Sequence, residues 1–395
     1  MGIRKWLPLM GISIGVFIFN MSEFMPIGLL TGISSDLGVS ESSAGLIISV
    51  YAWAVALLSL PIMLLLRKME YRRMLLLCVL LFTVFQALSG LSSDYWMLMA
   101  SRIGVAVAHS IFWSIATPLA VRVVEPRLTK LAIGAVATGT SIAMIVGLPL
   151  GRVIGLALGW RASFLTMAVM SLAVLVMLIA VFPRIENPGT FTLKRVPEIF
   201  RNRIVVTIYV VVAVSVTGYY TGYSYIEPFL GEIAGLSDTM ITVALTVFGL
   251  AGILGSILFN RIYGTTRFPY IIGSIGMSGV VLLTIRFMAS GQGTSLIACA
   301  AWGLFVTSFN VCLQHEIMRA SPIDAVAIIM SLFSGIYNVG IAMGSIIGGV
   351  VTDTVGVGDI GFVAGAFLLA GAAISAFVLV PGLKAHDRDR RNTAS

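Results

Sequence analysis

Few residues of this sequence carry a charge. Asp, Glu, Lys and Arg make up 11% of the 395 residues, whereas they make up about a quarter of an ordinary soluble domain. Hydrophobic residues account for 58% of the chain, and the mean hydropathy is +1.02. No water-soluble fold can hide so much apolar surface, so the composition predicts a protein that lies in a lipid bilayer.

Cysteine is also rare, and the sequence lacks the common enzyme motifs. Its three cysteines, Cys78, Cys299 and Cys312, are far apart and lie inside apolar segments, which argues against a disulfide framework and against a zinc site. There is no GxSxG motif, no P-loop and no paired His–Glu zinc helix. We therefore predict that the protein is not an enzyme, is not driven by ATP and uses no metal or other cofactor.

Apolar segments of about 20 residues, the length that crosses a bilayer as a helix, occur throughout the chain. A polar connector at 184–203 separates them into two sets of six, which predicts an all-α membrane protein with twelve spans in two pseudo-repeats. The predicted halves are 1–183 and 204–395, the second with a short cytoplasmic tail. The twelve segments lie near 7–30, 44–66, 74–91, 96–121, 131–155, 160–183, 204–229, 240–260, 270–289, 294–318, 324–350 and 361–382.

Basic residues are concentrated at the termini and in the loops that follow the even-numbered segments, whereas acidic residues occupy the opposite loops. The positive-inside rule then places both termini in the cytoplasm. The net charge of +8 is explained by this topology, so we expect no nucleic-acid partner. Arg152 and Arg286 lie near the outer ends of their segments, and we expect both side chains to reach towards the membrane surface.

Titratable residues inside the apolar segments indicate a function. Glu23 interrupts the first segment, with Asn20 one turn earlier, and Arg102, His109 and Trp113 line one stripe of the fourth. Ionisable groups at this depth cost at least about 2.5–3.5 kcal/mol, so they usually face a cavity or a partner. We predict that Glu23, Arg102 and His109 couple transport to protons. The alternative is that Glu23 and Arg102 form a static ion pair, and that His109 only hydrogen-bonds a neighbour.

Aromatic and amide side chains supply candidates for a substrate site. Tyr220, Tyr223 and Glu227 share one face of the seventh segment, where rings and a carboxylate suit a polar, uncharged substrate such as a sugar. An aromatic belt at the membrane interface is the alternative for the tyrosines. The complete set of predicted substrate-binding residues is Asn20, Tyr51, Trp53, Trp113, Tyr220, Tyr223, Glu227, Gln314, Ser334 and Asn338.

A glycine- and proline-rich run in the fifth segment, GLPLG, predicts close helix packing and a hinge at Gly147, Pro149 and Gly151. Arg72 and Arg73 belong to the charged loop RKMEYRR after the second segment. We assign these five residues to gating and helix packing.

Several stretches together resemble the bacterial sugar efflux transporter B group, in the drug:proton antiporter branch of the major facilitator superfamily. They are SEFMPIGLL, VYAWAVALLSLP, SRIGVAVAHSIFW, ATGTSIAMIVGLPLGR, YTGYSYIEPF and LFSGIYNVGIAMG, and they extend from the first span to the eleventh. Arg102 matches the basic residue that antiporters of this superfamily carry in the fourth span. GLPLG resembles their fifth-span motif, with Leu148 inserted, whereas RKMEYRR lacks the usual Gly and Asp.

The resemblance implies proton-driven export of sugars across the bacterial inner membrane by alternating access. The substrates would be arabinose, or galactosides and thiogalactosides such as isopropyl thiogalactoside. A multidrug/proton antiporter of the same fold is the alternative, since 19 Met and 21 Phe could line a flexible apolar pocket. The expected partners are a small-molecule substrate, protons and the lipid bilayer, and we expect a monomer. The resemblance implies roles for Glu23, Arg102, His109, Tyr51, Glu227 and Asn338.

Overall fold

The computed structural model describes residues 6–66, 68–186, 199–320 and 326–394. Almost all of these residues are helical, and none of them lies in a strand, so the prediction of an all-α protein is confirmed. The α-helices are α1 (Leu7–Phe24), α2 (Leu30–Leu37), α3 (Glu41–Leu66), α4 (Tyr71–Gly90), α5 (Tyr95–Arg122), α6 (Thr129–Ile142), α7 (Leu148–Leu158), α8 (Trp160–Val181), α9 (Arg203–Tyr223), α10 (Ile226–Pro228), α11 (Asp238–Met288), α12 (Gln292–Ala320), α13 (Val326–Thr354), α14 (Ile360–Ile374) and α15 (Val380–Ala394).

Eleven helical stretches in the described part of the chain are long and apolar enough to cross a membrane. One of them, α11, has 51 residues, which at 1.5 Å per residue is more than twice the thickness of the hydrocarbon core. Its backbone leaves the helical conformation at Thr266, and Pro269 follows three residues later. Because α11 consists of two helices joined at this kink, it supplies two spans, and the predicted twelve-span, multi-pass architecture is confirmed.

The chain divides into two compact units, Met1–Phe191 and Thr192–Ser395. In the first unit, α1 packs against α5, α6 and α8, while α5 also contacts α3 and α4. In the second unit, α9 packs against α13 and α14, and α11 packs against α12 and α14. Most of the predicted linker at 184–203 lies outside the described residues, because 187–198 are not described. The boundaries of the two predicted halves therefore stay a prediction.

Glycines let the fifth span approach α1 closely on both sides of Glu23. A methyl group added to Gly147 would lie 3.2 Å from the Cα of Met21, and one added to Gly151 would lie 2.3 Å from the Cγ of Met25. Between α6 and α7 the helix widens into a π-helix, Ala143–Gly147. Such π-bulges are frequent at functional sites, and this one packs directly on the segment that carries the carboxylate.

Arg152, at the end of the same run, corrects one prediction. Its side chain is 1% exposed and its Nη1 donates to the carbonyl oxygen of Gly28 at 2.8 Å. The side chain is therefore buried inside the first unit and does not reach the membrane surface. The guanidinium is tolerated there because a backbone carbonyl accepts its hydrogen bond.

A charged cluster lies beside the kink of α11 in the second unit. Arg267 donates from Nε and Nη2 to the two carboxylate oxygens of Glu316 on α12, each at 2.6 Å. Its Nη1 donates to Asp387 of α15, and the hydroxyl of Tyr263 donates to Glu316. The Glu316 carboxylate is completely buried. This bidentate pair therefore joins the two helices α11 and α12 with the last described helix.

Helix α5, which carries most of the predicted coupling residues, begins at a side-chain cap. Asp94 precedes the helix, and its Oδ1 accepts a hydrogen bond from the backbone N–H of Met97 at 3.0 Å. That bond lowers the pKa of the exposed Asp94 carboxyl below its ordinary value of 3.8. The charged carboxylate also complements the positive end of the helix dipole.

Candidate functional site

The predicted coupling residues meet at a break in the first span. Helix α1 ends at Phe24, and the 3-10 helix Met25–Leu29 follows. Pro26 has no backbone N–H, so the carbonyl oxygen of Ser22, four residues earlier, cannot receive the usual helical hydrogen bond from it. The Nη2 of Arg102 donates to that oxygen at 3.0 Å. The proline thus leaves a buried acceptor on α1, and α5 supplies a cation to it.

Arg102 is held by several neighbours. It is 1% exposed, and its Nη1 donates to the Oγ of Ser22 at 3.1 Å. The guanidinium carbon lies 4.5 Å from the centre of the Tyr51 ring, a distance at which the ring face attracts a cation. Gln86 of α4 also donates to the Ser22 hydroxyl. The hydrogen bonds that Arg102 makes to α1 go to Ser22 and not to Glu23.

The Glu23 carboxylate faces His109 instead. Its Oε2 lies 3.7 Å from the Nε2 of His109, and the Nδ1 of His109 lies 2.6 Å from the hydroxyl oxygen of Tyr51. If the hydroxyl donates to Nδ1, the neutral imidazole carries its proton on Nε2 and presents it to a charged carboxylate. If Nδ1 carries the proton instead, Nε2 becomes an acceptor that suits a protonated Glu23. The three groups therefore form a chain of proton donors and acceptors, and the 3.7 Å separation of Glu23 and His109 must shorten before a proton passes directly between them.

Apolar rings surround this cluster and leave one group more accessible than the others. The His109 ring lies 6.1 Å from the ring of Phe19 and 6.0 Å from that of Trp113, measured between centres. The His109 side chain is 3% exposed, whereas that of Glu23 is 12% exposed. Glu23 is therefore the more exposed of the two titratable side chains.

The other predicted residues of the first unit form no hydrogen bond with this cluster in the described ranges. Asn20 is buried and donates to the carbonyl of Val16 at 2.8 Å, which ties it to its own helix. Trp53 is half-buried on α3, and no hydrogen bond or ring contact joins it to the cluster in the described ranges. Arg72 donates to the carbonyl of Ile179 at 2.8 Å.

Arg73 pairs with Glu70 at 3.4 Å. Arg72 and Arg73 are at the start of α4, roughly 20 Å along the helix from Gln86, so they cannot contact the coupling cluster.

An aromatic cluster inside the second unit contains the predicted tyrosines. The Tyr223 ring stacks on Phe248 at 5.0 Å and meets the edge of Trp302 at 6.0 Å, while Tyr220 meets Tyr337 edge to face at 6.3 Å. Tyr220 and Tyr223 are both buried inside the unit, unlike the exposed rings of an interfacial belt. Sequence reasoning missed Phe248, Trp302 and Tyr337. Trp302 is completely buried at mid-helix, and an aromatic residue deep in a span was the available signal.

Amide side chains of α12 are connected by hydrogen bonds to this aromatic cluster. Gln314 donates to the Oδ1 of Asn310 at 2.9 Å, and Asn310 donates to the hydroxyl of Tyr337 at 3.4 Å. Asn338 donates to the carbonyl of Ser334 at 3.0 Å, and its buried Oδ1 has no hydrogen-bond partner among the described residues. This free acceptor can receive a hydrogen bond from a hydroxyl group.

Glu227, in the one-turn helix α10, is buried but belongs to neither the ring contacts nor the amide chain that are described above. No group of three or more His, Cys, Asp or Glu side chains that could hold a metal ion occurs within the part of the chain that the structure covers.

Comparisons with known proteins identify the family. The sequence model of the Major Facilitator Superfamily matches residues 12–322. A "Probable sugar efflux transporter" of Pasteurella multocida (strain Pm70) is 37% identical over 377 residues, which cover 95% of this chain and 93% of that protein. A protein of the same name from Helicobacter acinonychis (strain Sheeba) is 39% identical over 354 residues, 90% of each chain.

A solved structure shows the same fold. The crystal structure of a bacterial homologue of the human lysosomal transporter Spinster, in an inward-facing and unoccupied conformation, matches with a TM-score of 0.74. The match covers 97% of this chain and 98% of that chain, at 16% sequence identity. The sequence match and the twelve-span helical fold lead to one conclusion: this chain belongs to the major facilitator superfamily, and it is a multi-pass membrane transporter and not an enzyme.

Proposed function

We propose that the protein exports sugars across the bacterial inner membrane in exchange for protons, with both termini in the cytoplasm. The names of relatives that are 37% and 39% identical over at least 90% of the chain support sugar as the substrate class. Arabinose, galactosides and thiogalactosides are the candidates. The basic loops and termini support the orientation. We further propose that the transporter works as a monomer by alternating access.

The observation that carries the proton-coupled mechanism is the chain of contacts from Glu23 to His109 and Tyr51. The distances of 3.7 Å and 2.6 Å bring together two titratable groups and a hydroxyl from three different spans. An ionisable group at this depth in the membrane is costly, so it usually has a function. In the outward-open state Glu23 takes a proton from the periplasm. In the inward-open state it releases that proton, and sugar binds from the cytoplasm.

The substrate part of the proposal involves the second unit. The ring faces of Tyr220 and Tyr223 suit the apolar C–H face of a sugar, and the free Oδ1 of Asn338 suits a sugar hydroxyl. Gln314 supports this set through Asn310. The pairing of rings with amides favours a polar, uncharged ligand over a purely apolar one.

Transport by purified protein in proteoliposomes tests the proposal. Vesicles with an acidic lumen are offered labelled arabinose, isopropyl thiogalactoside or a hydrophobic dye. We expect the wild type to accumulate a sugar only while the pH gradient lasts. Glu23→Gln and His109→Ala should fail to accumulate sugar under the same gradient, because each removes one of the two titratable groups. Glu232→Gln serves as the matched control, since Glu232 is an exposed carboxylate.

Each result has a defined meaning. Sugar accumulation that ignores the gradient would contradict antiport. Accumulation of the dye without either sugar would favour the multidrug exporter. Unchanged coupling in both Glu23→Gln and His109→Ala would show that the protons bind elsewhere.

A further inference from the structure

Ser22 and Gln86, which have no role in the proposed coupling mechanism, contact each other beside Arg102. The Ser22 hydroxyl lies 3.1 Å from the Nη1 of Arg102, and the amide nitrogen of Gln86 donates to the same oxygen. Ser22, Gln86 and Arg102 are all buried. One serine on α1 is therefore the shared contact of a side chain from α4 and a side chain from α5, in the position immediately before Glu23.

Helices α4 and α5 pack closely against each other around Gln86. Gly104 leaves room for the neighbouring Phe85 ring, whose Cδ1 would lie 2.3 Å from a methyl group on that glycine. One turn beyond Gln86, the hydroxyls of Ser89 and Ser101 share a hydrogen bond of 2.9 Å. The two helices are thus in contact on both sides of Gln86, and the amide reaches across to Ser22 on α1.

Gln86 is an unusual choice for a residue whose only task is packing. Its Oε1 and the Nε of Arg102 are buried and have no hydrogen-bond partner among the described residues. A buried polar atom without a partner lowers stability, and an apolar residue of the same length would avoid that loss. The presence of an amide at this position is therefore better explained by the hydrogen bond that its nitrogen donates to Ser22.

Without these contacts the guanidinium would have another acceptor nearby. Glu23 is the next residue after Ser22, whose hydroxyl and carbonyl oxygens both accept hydrogen bonds from Arg102. We propose that Ser22 and Gln86 are positioning residues: they hold the Arg102 guanidinium on the backbone of α1 and away from the Glu23 carboxylate, which leaves Glu23 free to exchange its proton with His109. This inference rests on the proposed role of Glu23 as the proton carrier.

Among the described residues, no other charged group occupies the place of Arg102 in this arrangement. Of the helices packed on this segment, α5 presents Arg102 and His109, α3 presents Tyr51, and α7 carries Arg152, whose Nη1 donates to Gly28. The thiol of Cys78 on α4 donates to the carbonyl of Ala108 at 3.1 Å. Arg102 is thus the cation whose position decides whether Glu23 is ion-paired.

The test measures protonation of Glu23 directly. A hydrophobic carbodiimide reacts with protonated carboxyl groups in apolar surroundings, and mass spectrometry of the peptide that contains Glu23 gives the labelled fraction at each pH. The variants are Ser22→Ala, Gln86→Met and the double variant, all in full-length protein. Ser89→Ala is the matched control, because it removes a buried hydroxyl bond between the same two helices without touching Arg102. Circular dichroism and gel filtration check the fold of each variant.

We expect the pH midpoint of labelling to move to more acidic pH in the double variant, by about one unit, because a direct ion pair with Arg102 favours the charged carboxylate. One unit corresponds to a tenfold change in the protonation equilibrium. Each single variant should shift in the same direction by less, Ser89→Ala should keep the wild-type midpoint, and Arg102→Gln should move it to more alkaline pH. A wild-type midpoint in the folded double variant, or an equal shift in Ser89→Ala, would overturn the proposal.

The same experiment separates this inference from the proposed function. Labelling needs neither a substrate nor a gradient, so it does not depend on which sugar is exported. If wild-type Glu23 stays unlabelled from about pH 5 to pH 9, it does not take up a proton in the range where buried carboxyls titrate. That result would contradict its role as proton carrier and this proposal with it, whereas failure of sugar transport alone would contradict only the substrate assignment.

Discussion

Replacement of Tyr51 by phenylalanine isolates one hydrogen bond of the coupling cluster. The change removes the hydroxyl that lies 2.6 Å from the Nδ1 of His109 and keeps the ring that lies 4.5 Å from the guanidinium carbon of Arg102. His109 then loses the hydrogen-bond partner of its Nδ1. Its Nε2 faces Glu23 as a donor in some molecules and as an acceptor in others.

The size of the effect follows from burial. A buried nitrogen that loses its partner costs about 1–3 kcal/mol, and hydrogen bonds between membrane helices average about 0.6 kcal/mol. We therefore expect Tyr51→Phe to lower the free energy of unfolding by about 1 kcal/mol. The same energy, if it is lost from the proton-transfer step, slows that step about fivefold. The two quantities are measured by denaturant unfolding in detergent and by gradient-driven sugar uptake in proteoliposomes.

Tyr95→Phe is the matched control for this experiment. Tyr95 lies on α5 and its hydroxyl donates to the carbonyl of Ser43 on α3 at 2.8 Å, so it joins the same pair of helices that Tyr51 and His109 join. We expect a similar loss of stability in this variant, with transport unchanged. Wild-type uptake and a wild-type pH profile in Tyr51→Phe would refute the assignment of a coupling role to this hydrogen bond.

Three further predictions concern packing and charge. Gly151→Ala places a methyl group 2.3 Å from the side chain of Met25, in the 3-10 helix that follows α1. Overpacking of this kind costs about 1–3 kcal/mol, and both thermal stability and uptake should fall. Arg267→Gln leaves Glu316 buried without its bidentate partner, and denaturant unfolding should show a loss of about 3–5 kcal/mol. The pKa of Asp94 is lowered in the folded protein, so its stabilising effect is present above pH 3.8 and is lost as the pH falls through the lower, folded-state pKa. In Asp94→Asn, the acid unfolding curve should lack this pH-dependent loss of stability.

Much of the architecture could be predicted because the bilayer restricts what a chain can do. The long runs of apolar residues predicted membrane spans. The polar connector and the basic loops predicted how many spans there are and how they are grouped. Even the kink in α11 had a signal, since Arg267 and Pro269 separate two predicted spans that the structure joins in one bent helix. The free energy of transfer from water into lipid decides which segments span the membrane, and hydropathy measures that free energy.

Partners inside the bundle were harder to predict, because they depend on which helix faces which. Arg102 and Glu23 suggested an ion pair, yet the bonds of Arg102 go to Ser22. Pro26 was the available signal in the sequence, since it removes the helical donor to the Ser22 carbonyl. No nearby residue in the sequence indicates which side chain donates to that carbonyl instead. Arg152 was placed wrongly for the same reason, because the carbonyl of Gly28 that accepts its hydrogen bond comes from another helix.

Gln86 could have been proposed from the sequence. It is an amide in an otherwise apolar span, the same signal that selected Gln314 and Asn338. Its link to the coupling cluster needed the structure, because the contact to Ser22 joins residues 64 positions apart.

A proton flux driven by sugar alone tests the central claim most directly. Proteoliposomes are loaded with arabinose and a pH-sensitive dye and diluted into sugar-free buffer at the same pH. The account predicts that outward sugar movement drives protons inward, so the lumen becomes acidic with wild-type protein and stays unchanged with Glu23→Gln. Sugar efflux without any change of pH, or with alkalinisation of the lumen, would contradict exchange of sugar for protons.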